Sequence, residues 1–369
     1  MSMAKVLISG ANGFIGRALC SRLASDNKVV GVDITGPPDG ALSISWERAD
    51  LTELDPVAAI CGKYSPDVVI HCAGLAHQKI GAVDLATYMR VNSKATEALA
   101  KAAAESNPDV CFIFLSSVSV YGEHPQITQI MQNKKDTSRK GAKAQKRKDN
   151  NGIGEDEECW PSSDYAVSKL DAERRLIALS NEGIIRNLII LRLAPVYDRD
   201  WSFNLDRRIF TPKKLAYLRF GSGTQKMSAL ARPNLVDFIE FLIRRLHRLT
   251  QITDKSAQQN NPGNRRNLWI FNVCDAEAYE FNTIIRVFQK SCIRSHGPII
   301  SVPLPPVWLA TRIAGFLFAN KKRWLHSCYD KLASDLIFDT GKMMETGFRP
   351  VHSLETIFDS KITHLTQRR

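Results

Sequence analysis

The 369 residues, 44% hydrophobic and 24% charged, suffice for one large α/β domain and a smaller lobe, which excludes a chain too short or too polar to bury a core. The formal net charge of +12 raises nucleic acid or membrane as partners, but Lys134 to Lys148 alone carries +7, so the rest of the body is only mildly basic. The eight cysteines show neither CxxC nor a metal-ligand spacing with histidine; they read as reduced thiols of a cytoplasmic protein without a metal site.

The opening MSMAKVLISG has too short an apolar run for a signal peptide and enters a first predicted strand, Val6 to Ser9. That strand leads into GANGFIG, a helix RALCSRLAS, and a second strand, Val29 to Asp33. Gly10, Gly13 and Gly16 permit a tight turn against a pyrophosphate, at a helix N-terminus that supplies N–H groups and a positive dipole end. Asn12, Phe14 and Ile15 belong to the same cradle. Asp33, 17 residues beyond Gly16, would accept hydrogen bonds from a ribose 2′-OH and repel a 2′-phosphate, which favours NAD over NADP.

Three more strands, Val68 to Cys72, Cys111 to Ser116 and Leu188 to Leu193, continue the alternation with helical patterns. Their near-continuous apolar cores predict an α/β chain with a Rossmann-type doubly wound parallel sheet. Residues 1–196 are expected to form the NAD-binding domain, interrupted at 126–154 by a basic loop without periodicity. Residues 197–369 are expected to form mainly a smaller C-terminal α/β substrate lobe, interleaved with a late strand of the first domain at 268–273. From Pro305, PPVWLATRIAGFLFANKKRW reads as a helix packed within that lobe; Arg312 breaks its apolar run, so peripheral membrane contact is a minority reading. No stretch reaches membrane-spanning length.

The stretch SSDYAVSKL places Tyr165 and Lys169 four residues apart, on one face of a helix. An ammonium beside a phenol is expected to lower the phenol's pKa from about 10 and let it act as acid or base. FIFLSSVSVYGE ends a strand in Ser116 and Ser117, where doubly wound sheets place chemistry. With glycine loop, serine-bearing strand end and YxxxK in this order, the chain resembles the extended short-chain dehydrogenase/reductase family over nearly its whole length. The closest likeness is to its nucleotide-sugar epimerase/dehydratase branch. The resemblance implies Ser117, Tyr165 and Lys169 as catalytic residues, NAD as cofactor and a nucleotide-sugar as substrate. It also implies a homodimer formed through the helices that carry Asn92 and Tyr165.

Further segments resemble lesser signatures of the family. ADLTE places Asp50 and Leu51 at the adenine, and VIHCAGLAHQ places Ala73 and Gly74 beside the cofactor and His77 near the substrate; His71 reads as a satisfied core histidine. YMRVNSKATEAL carries the family's structural asparagine, Asn92, and LRLAPVYD implies Pro195 and Val196 against the nicotinamide, with Leu193 where the family usually has proline. YDRDWSFN implies that Asn204 touches the substrate diphosphate. LRFGSGTQKMSALARPNLVD resembles the stretch that wraps the nucleotide-sugar, with Arg219, Lys226 and Arg232 as cations for its phosphates. IFDTGKMMETGFRP resembles the closing segment of bacterial surface-polysaccharide sugar enzymes.

The family's 4,6-dehydratases carry an acid pair right after the catalytic hydroxyl to protonate a leaving hydroxyl, and here Val118 and Ser119, a substrate-side candidate, occupy those positions. Dehydration is disfavoured. Two reactions stay open: 4-epimerisation through a transient 4-keto sugar with NAD retained, and reduction of a 4-keto sugar by NADH or NADPH. Asp33 favours the first. A third reading is a non-catalytic NAD-binding module that uses the basic loop for a partner. That loop lacks interleaved aromatics, so nucleic-acid binding is disfavoured.

Overall fold

The structure, a computed structural model, describes residues 3–37, 44–76, 78, 81–122, 152–257, 267–291, 297–317, 329 and 332–359. The chain divides into two units, one within 1–122, 161–193 and 235–271, the other within 123–160, 194–234 and 272–369. His77 and the basic loop from Lys134 to Lys148 lie outside the described residues.

The first unit alternates strand and helix from its start. β1 (Lys5–Ser9), α1 (Phe14–Leu23), β2 (Lys28–Asp33), β3 (Ser45–Arg48), α2 (Leu54–Tyr64) and β4 (Val68–His71) are followed by α3 (Leu85–Tyr88), α4 (Ala95–Ser106), β5 (Cys111–Ser117), α5 (Asp164–Asn181) and β6 (Asn187–Leu193). One wide π-helical turn, Met89–Lys94, joins α3 to α4 and carries Asn92. With the late strand Asn267–Val273 these strands form a seven-stranded sheet in the order late strand, β6, β5, β4, β1, β2, β3. All pairs from β6 to β3 are parallel. The late strand runs the same way as β6, since Asn267 N–H donates to Arg186 O at one end (2.7 Å) and Ala194 N–H donates to Val273 O at the other (3.0 Å).

Helices on both faces explain why the inner strands are apolar at every position. Leu7, Val69, Phe112, Phe114, Leu188 and Ile190 join one buried cluster with Leu99, Ala103 and Leu176 of the helices. Val6, Ile8, Ile70, Ile113 and Ile189 between them are just as buried. The expected strands therefore stand, with ends shifted by one residue; β4 stops at His71, so Cys72 falls beyond it. The sequence reading had no strand at β3, whose SWER is polar and half-exposed because it is the sheet edge. Its Trp46 explains Gly31, where a Cβ would lie 2.9 Å from the indole ring.

The second unit is less regular. It contains β7 (Val196–Tyr197), α6 (Phe203–Ile209), β8 (Tyr217–Phe220), β9 (Lys226–Met227) and β10 (Leu230–Ala231). After α7 (Arg232–Ala257) and the late strand, now β11, come β12 (Tyr279–Glu280), α8 (Phe281–Lys290), β13 (Ile299–Val302) and α9 (Leu304–Leu317). The short strands pair as β10 with β7, β12 with β9 and β13 with β8. A buried polar knot holds this unit: Tyr197 and Tyr279 both donate to Asp275 Oδ2, and Asn234 donates to Asp275 Oδ1. α9 forms where predicted, but the expectation that it packs within the lobe holds for one side only: among the described residues Gly315 is buried and Leu304 lies against Gly221, while most of the helix is exposed.

Candidate active site

The glycine loop is shaped by its own contacts. Gly10 sits at φ 68°, and a Cβ there would lie 2.7 Å from Ala73 N; at Gly16 it would lie 2.1 Å from Gly10 O. Gly13 caps α1 without a side chain, leaving the helix N-terminus to a ligand. Asn12 N–H donates to Asp33 Oδ2 (3.0 Å), and Thr35 donates to Asp33 Oδ1 from N (3.1 Å) and Oγ1 (3.0 Å). The acid thus ties the loop to the end of β2 while keeping acceptor capacity for a ribose. Asn12 Nδ2 donates to Thr35 Oγ1 and Gly36 O, but its buried Oδ1 has no partner. Glycine cradle, capless helix, acid and orphaned acceptor together fit a dinucleotide. Asp50 Oδ1 accepts from Thr52 N and Oγ1, both at 2.9 Å, and Leu51 packs on the core.

The next strand ends converge on Lys169. Asn92 Oδ1 accepts from Leu75 N (2.6 Å), while its Nδ2 donates to Leu75 O (3.0 Å) and Ser168 Oγ (3.1 Å). It clamps the 74–75 loop, so its role toward a cofactor is positional. A Cβ on Gly74 would lie 3.0 Å from Asn92 Oδ1 and 3.6 Å from Lys169 Nζ. His71 is held between Ser9 Oγ (2.6 Å) and Thr96 Oγ1 (2.8 Å), and burial pulls its pKa down to about 3. It is the satisfied core histidine expected.

α5 starts at Ser163, whose side chain accepts from Ala166 N. This puts Tyr165 in the first turn, where the phenol shares a hydrogen bond with Ser117 and meets the Tyr88 ring edge-on at 6.5 Å between centroids. Ser117 Oγ also contacts Ser119, donating to its hydroxyl (3.0 Å) and accepting from its N–H (3.1 Å). The expected phenol–ammonium effect is not found. Burial pushes the Tyr165 pKa up to about 12, with Tyr88 adding and the Ser117 bond opposing. Lys169 instead donates to Leu115 O (2.8 Å) with Nζ 4.6 Å above the Phe114 ring, and burial draws its pKa down to about 8. The long stem lets the ammonium reach the end of β5, one turn below the phenol.

Beneath these groups lies a pairing that the sequence reading missed. Glu173 accepts from Ser116 Oγ and binds the Arg192 guanidinium at 2.7 Å, both side chains almost fully buried; Arg192 Nη1 donates to Tyr121 OH (3.0 Å). The signal was present, since Tyr165, Lys169 and Glu173 follow each other at i, i+4 and i+8 on one helix face.

Of the substrate-side candidates, Ser119 falls in the first unit, and Asn204, Arg219, Lys226 and Arg232 fall in the second, as do Pro195 and Val196. Asn204 lies on α6, half-buried. Arg219 on β8 donates to Ser301 Oγ (2.7 Å) and keeps a buried Nε without a partner. Lys226 is exposed on β9. Arg232 is paired with Asp198, which holds its guanidinium at 2.5 Å. A cation not foreseen is Arg208, four residues after Asn204 on α6. Its Nη1 is buried without a partner, and desolvation pulls its pKa down to about 10.

Comparison with known proteins adds four findings to this geometry. Over 363 residues, 96% of this chain and 93% of the other, the sequence is 27% identical to a UDP-glucose 4-epimerase of Vibrio cholerae. Over 183 residues, 50% of each chain, it is 25% identical to a dTDP-4-dehydrorhamnose reductase of Aggregatibacter actinomycetemcomitans. The fold matches that of the UDP-glucose 4-epimerase from Brucella ovis in complex with NAD, with a TM-score of 0.67 at 18% identity and 98% of each chain covered. The family described as "NAD dependent epimerase/dehydratase family" matches residues 6–253, most of the chain and all of the glycine loop, Ser117, Tyr165 and Lys169. The chain belongs to the NAD dependent epimerase/dehydratase family and is an NAD-dependent enzyme.

Proposed function

We propose that the enzyme is a nucleotide-sugar 4-epimerase, acting on a UDP-hexose or UDP-N-acetylhexosamine through a transient 4-keto sugar in polysaccharide precursor synthesis. The observation that carries this reading is the hydrogen-bonded Ser117–Tyr165 pair at the end of β5, with buried Lys169 one turn further along α5. The relative named UDP-glucose 4-epimerase, matched along almost the whole chain, supports it.

In this reading Gly10, Asn12, Gly13, Phe14, Ile15 and Gly16 hold the pyrophosphate of NAD, Asp33 its adenosine ribose, and Asp50 with Leu51 its adenine. Ala73, Gly74 and Lys169 face its nicotinamide ribose, and Pro195 with Val196 its nicotinamide. When bound, NAD supplies a reversible two-electron acceptor for the hydrogen on sugar C4. Tyr165 takes the proton of the C4 hydroxyl and later returns it to the C4 oxygen, while Ser117 holds the phenol in place. Its pKa of about 12 keeps the phenol protonated at neutral pH in this structure, so its action as a base requires positive charge brought close to it. Lys169, with a pKa of about 8, is mostly cationic at pH 7, but its ammonium is held by Leu115 O at the end of β5, so the charge beside the phenol would come from the bound oxidised cofactor. Val118 and Ser119 offer no acid to expel a C6 hydroxyl, so the 4-keto sugar is not dehydrated; it turns within the site and takes its hydrogen back on the opposite face of C4, which restores the cofactor to its starting state. Asn204, Arg208 and Arg219 are the donors for the diphosphate.

The test is incubation of the purified protein with UDP-glucose and with UDP-N-acetylglucosamine, with and without added NAD, followed by chromatography with mass detection. A mass-neutral conversion to the C4 epimer, absent in Tyr165→Phe, is expected. No conversion, with NADH or NADPH consumed when a UDP-4-keto-6-deoxy sugar is supplied, would instead make it a reductase, the activity printed for the relative from Aggregatibacter.

A further inference from the structure

We propose that α9 docks the protein on an anionic phospholipid surface. Its sequence, LPPVWLATRIAGFL, is apolar apart from Thr311 and Arg312, a content that in a water-soluble chain belongs to a largely buried helix. Yet Leu309, Ile313, Phe316 and Leu317, spaced at i, i+4, i+7 and i+8 and so sharing one face, are 53%, 53%, 86% and 67% exposed. The side of Gly315 and Leu304 faces inward; a Cβ on Gly221 would lie 2.9 Å from Leu304 Cδ1. Just before α9, Ile299 and Ile300 of β13 are exposed side by side. Large aliphatic and aromatic side chains gathered in this way are costly in water and mark a surface that something covers.

Charge selects the cover. From Phe281 to Tyr329 the sequence contains seven Lys or Arg and no Asp or Glu, in a chain whose overall excess of basic over acidic residues is 50 to 38. Within α9, Arg312 stacks its guanidinium 5.4 Å from the centroid of the Trp308 ring, at the border of the apolar face. A tryptophan and an arginine beside an aliphatic stripe match the layering of a bilayer interface, where rings and guanidinium groups sit at headgroup level above buried methyls. A lipid surface supplies hydrocarbon for Leu309, Ile313, Phe316 and Leu317 and phosphate for Arg312 at once. With 14 residues, or roughly 21 Å, α9 is too short to cross a hydrocarbon core of about 30 Å and would lie in the interface plane. No helix among the described residues is long and apolar enough to cross.

The test is co-sedimentation of the full chain, loaded with NAD, with phosphatidylcholine vesicles that contain or lack phosphatidylglycerol, at low and high salt. The expected result is binding that requires phosphatidylglycerol and weakens with salt, and that falls at least about tenfold in Ile313→Glu/Phe316→Glu and about fivefold in Arg312→Glu. These side chains are exposed, so melting temperature and NAD affinity should match the unaltered protein; Phe316→Ser serves as a milder second variant. Binding unchanged by these substitutions, or indifferent to phosphatidylglycerol, overturns the proposal. A vesicle-free dimer that Ile313→Glu/Phe316→Glu turns into a monomer also overturns it, because a second copy would then be the cover.

Discussion

Around Lys169 in the first unit, Asn92 commits its amide to Leu75 and Ser168, His71 is held by Ser9 and Thr96, and Glu173 is bound by Ser116 and Arg192. In the second unit Arg208 and Arg219 each keep a buried nitrogen without a partner. Buried polar groups in a finished structure are almost always paired, because an unmade hydrogen bond costs its full desolvation. The difference teaches which half is assembled in advance. The groups proposed to handle C4 are set by bonds within the chain, whereas Asn12 Oδ1 on the cofactor side and the cations proposed for the diphosphate keep buried polar atoms that a bound ligand would pair.

Breaking the first half should have the largest consequences. Tyr165→Phe removes the proton-transfer group and should lower kcat by about 10²–10⁴, with NAD affinity unchanged in a titration of the folded protein. Glu173→Ala leaves the Arg192 guanidinium buried without its carboxylate and should lower stability by about 3–5 kcal/mol in denaturant melts. A weaker loss would mean that water enters beside β5 and β6.

His71 tests the same half through pH. Its pKa is depressed from the ordinary 6.5 to about 3, so the unfolded chain takes up the proton first as pH falls. Stability should therefore be unaffected by this group above about 6.5 and decline below it, with a slope approaching 1.4 kcal/mol per pH unit that ends near pH 3. Acid melts of the unaltered protein and of His71→Asn should differ in slope over that window; equal slopes would show that the proton is accommodated without unfolding.

The second half is sharpened by a paired comparison of arginines. Arg208→Met should raise the nucleotide-sugar KM by about 10–100-fold while leaving stability equal or higher, because it removes an unpaired buried cation. Arg232→Met should have the smaller effect on KM, since Asp198 already occupies that guanidinium. Equal KM effects would erase the distinction between a paired and an unpaired cation.

Much of this was legible in the chain as written. The glycine loop, the apolar strands and the acid at the end of β2 are local signals: backbone clearance, burial on both faces and spacing along a strand–helix–strand unit are all encoded within some tens of neighbouring residues. The YxxxK spacing likewise fixed that Tyr165 and Lys169 share a helix face. What the two side chains do on that face was decided by tertiary contacts, because the Leu115 carbonyl and the Phe114 ring draw the ammonium to the end of β5 while burial keeps the phenol protonated. The same holds for Arg232 and Arg208. Both are arginines in a polar-looking stretch, and only the fold brings Asp198 to one and, among the described residues, leaves Nη1 of the other without a partner. α9 makes the point from the opposite side: periodicity and apolar content specify that it is a helix, but whether its face meets protein or solvent depends on what the rest of the lobe sets against it, which no local pattern contains.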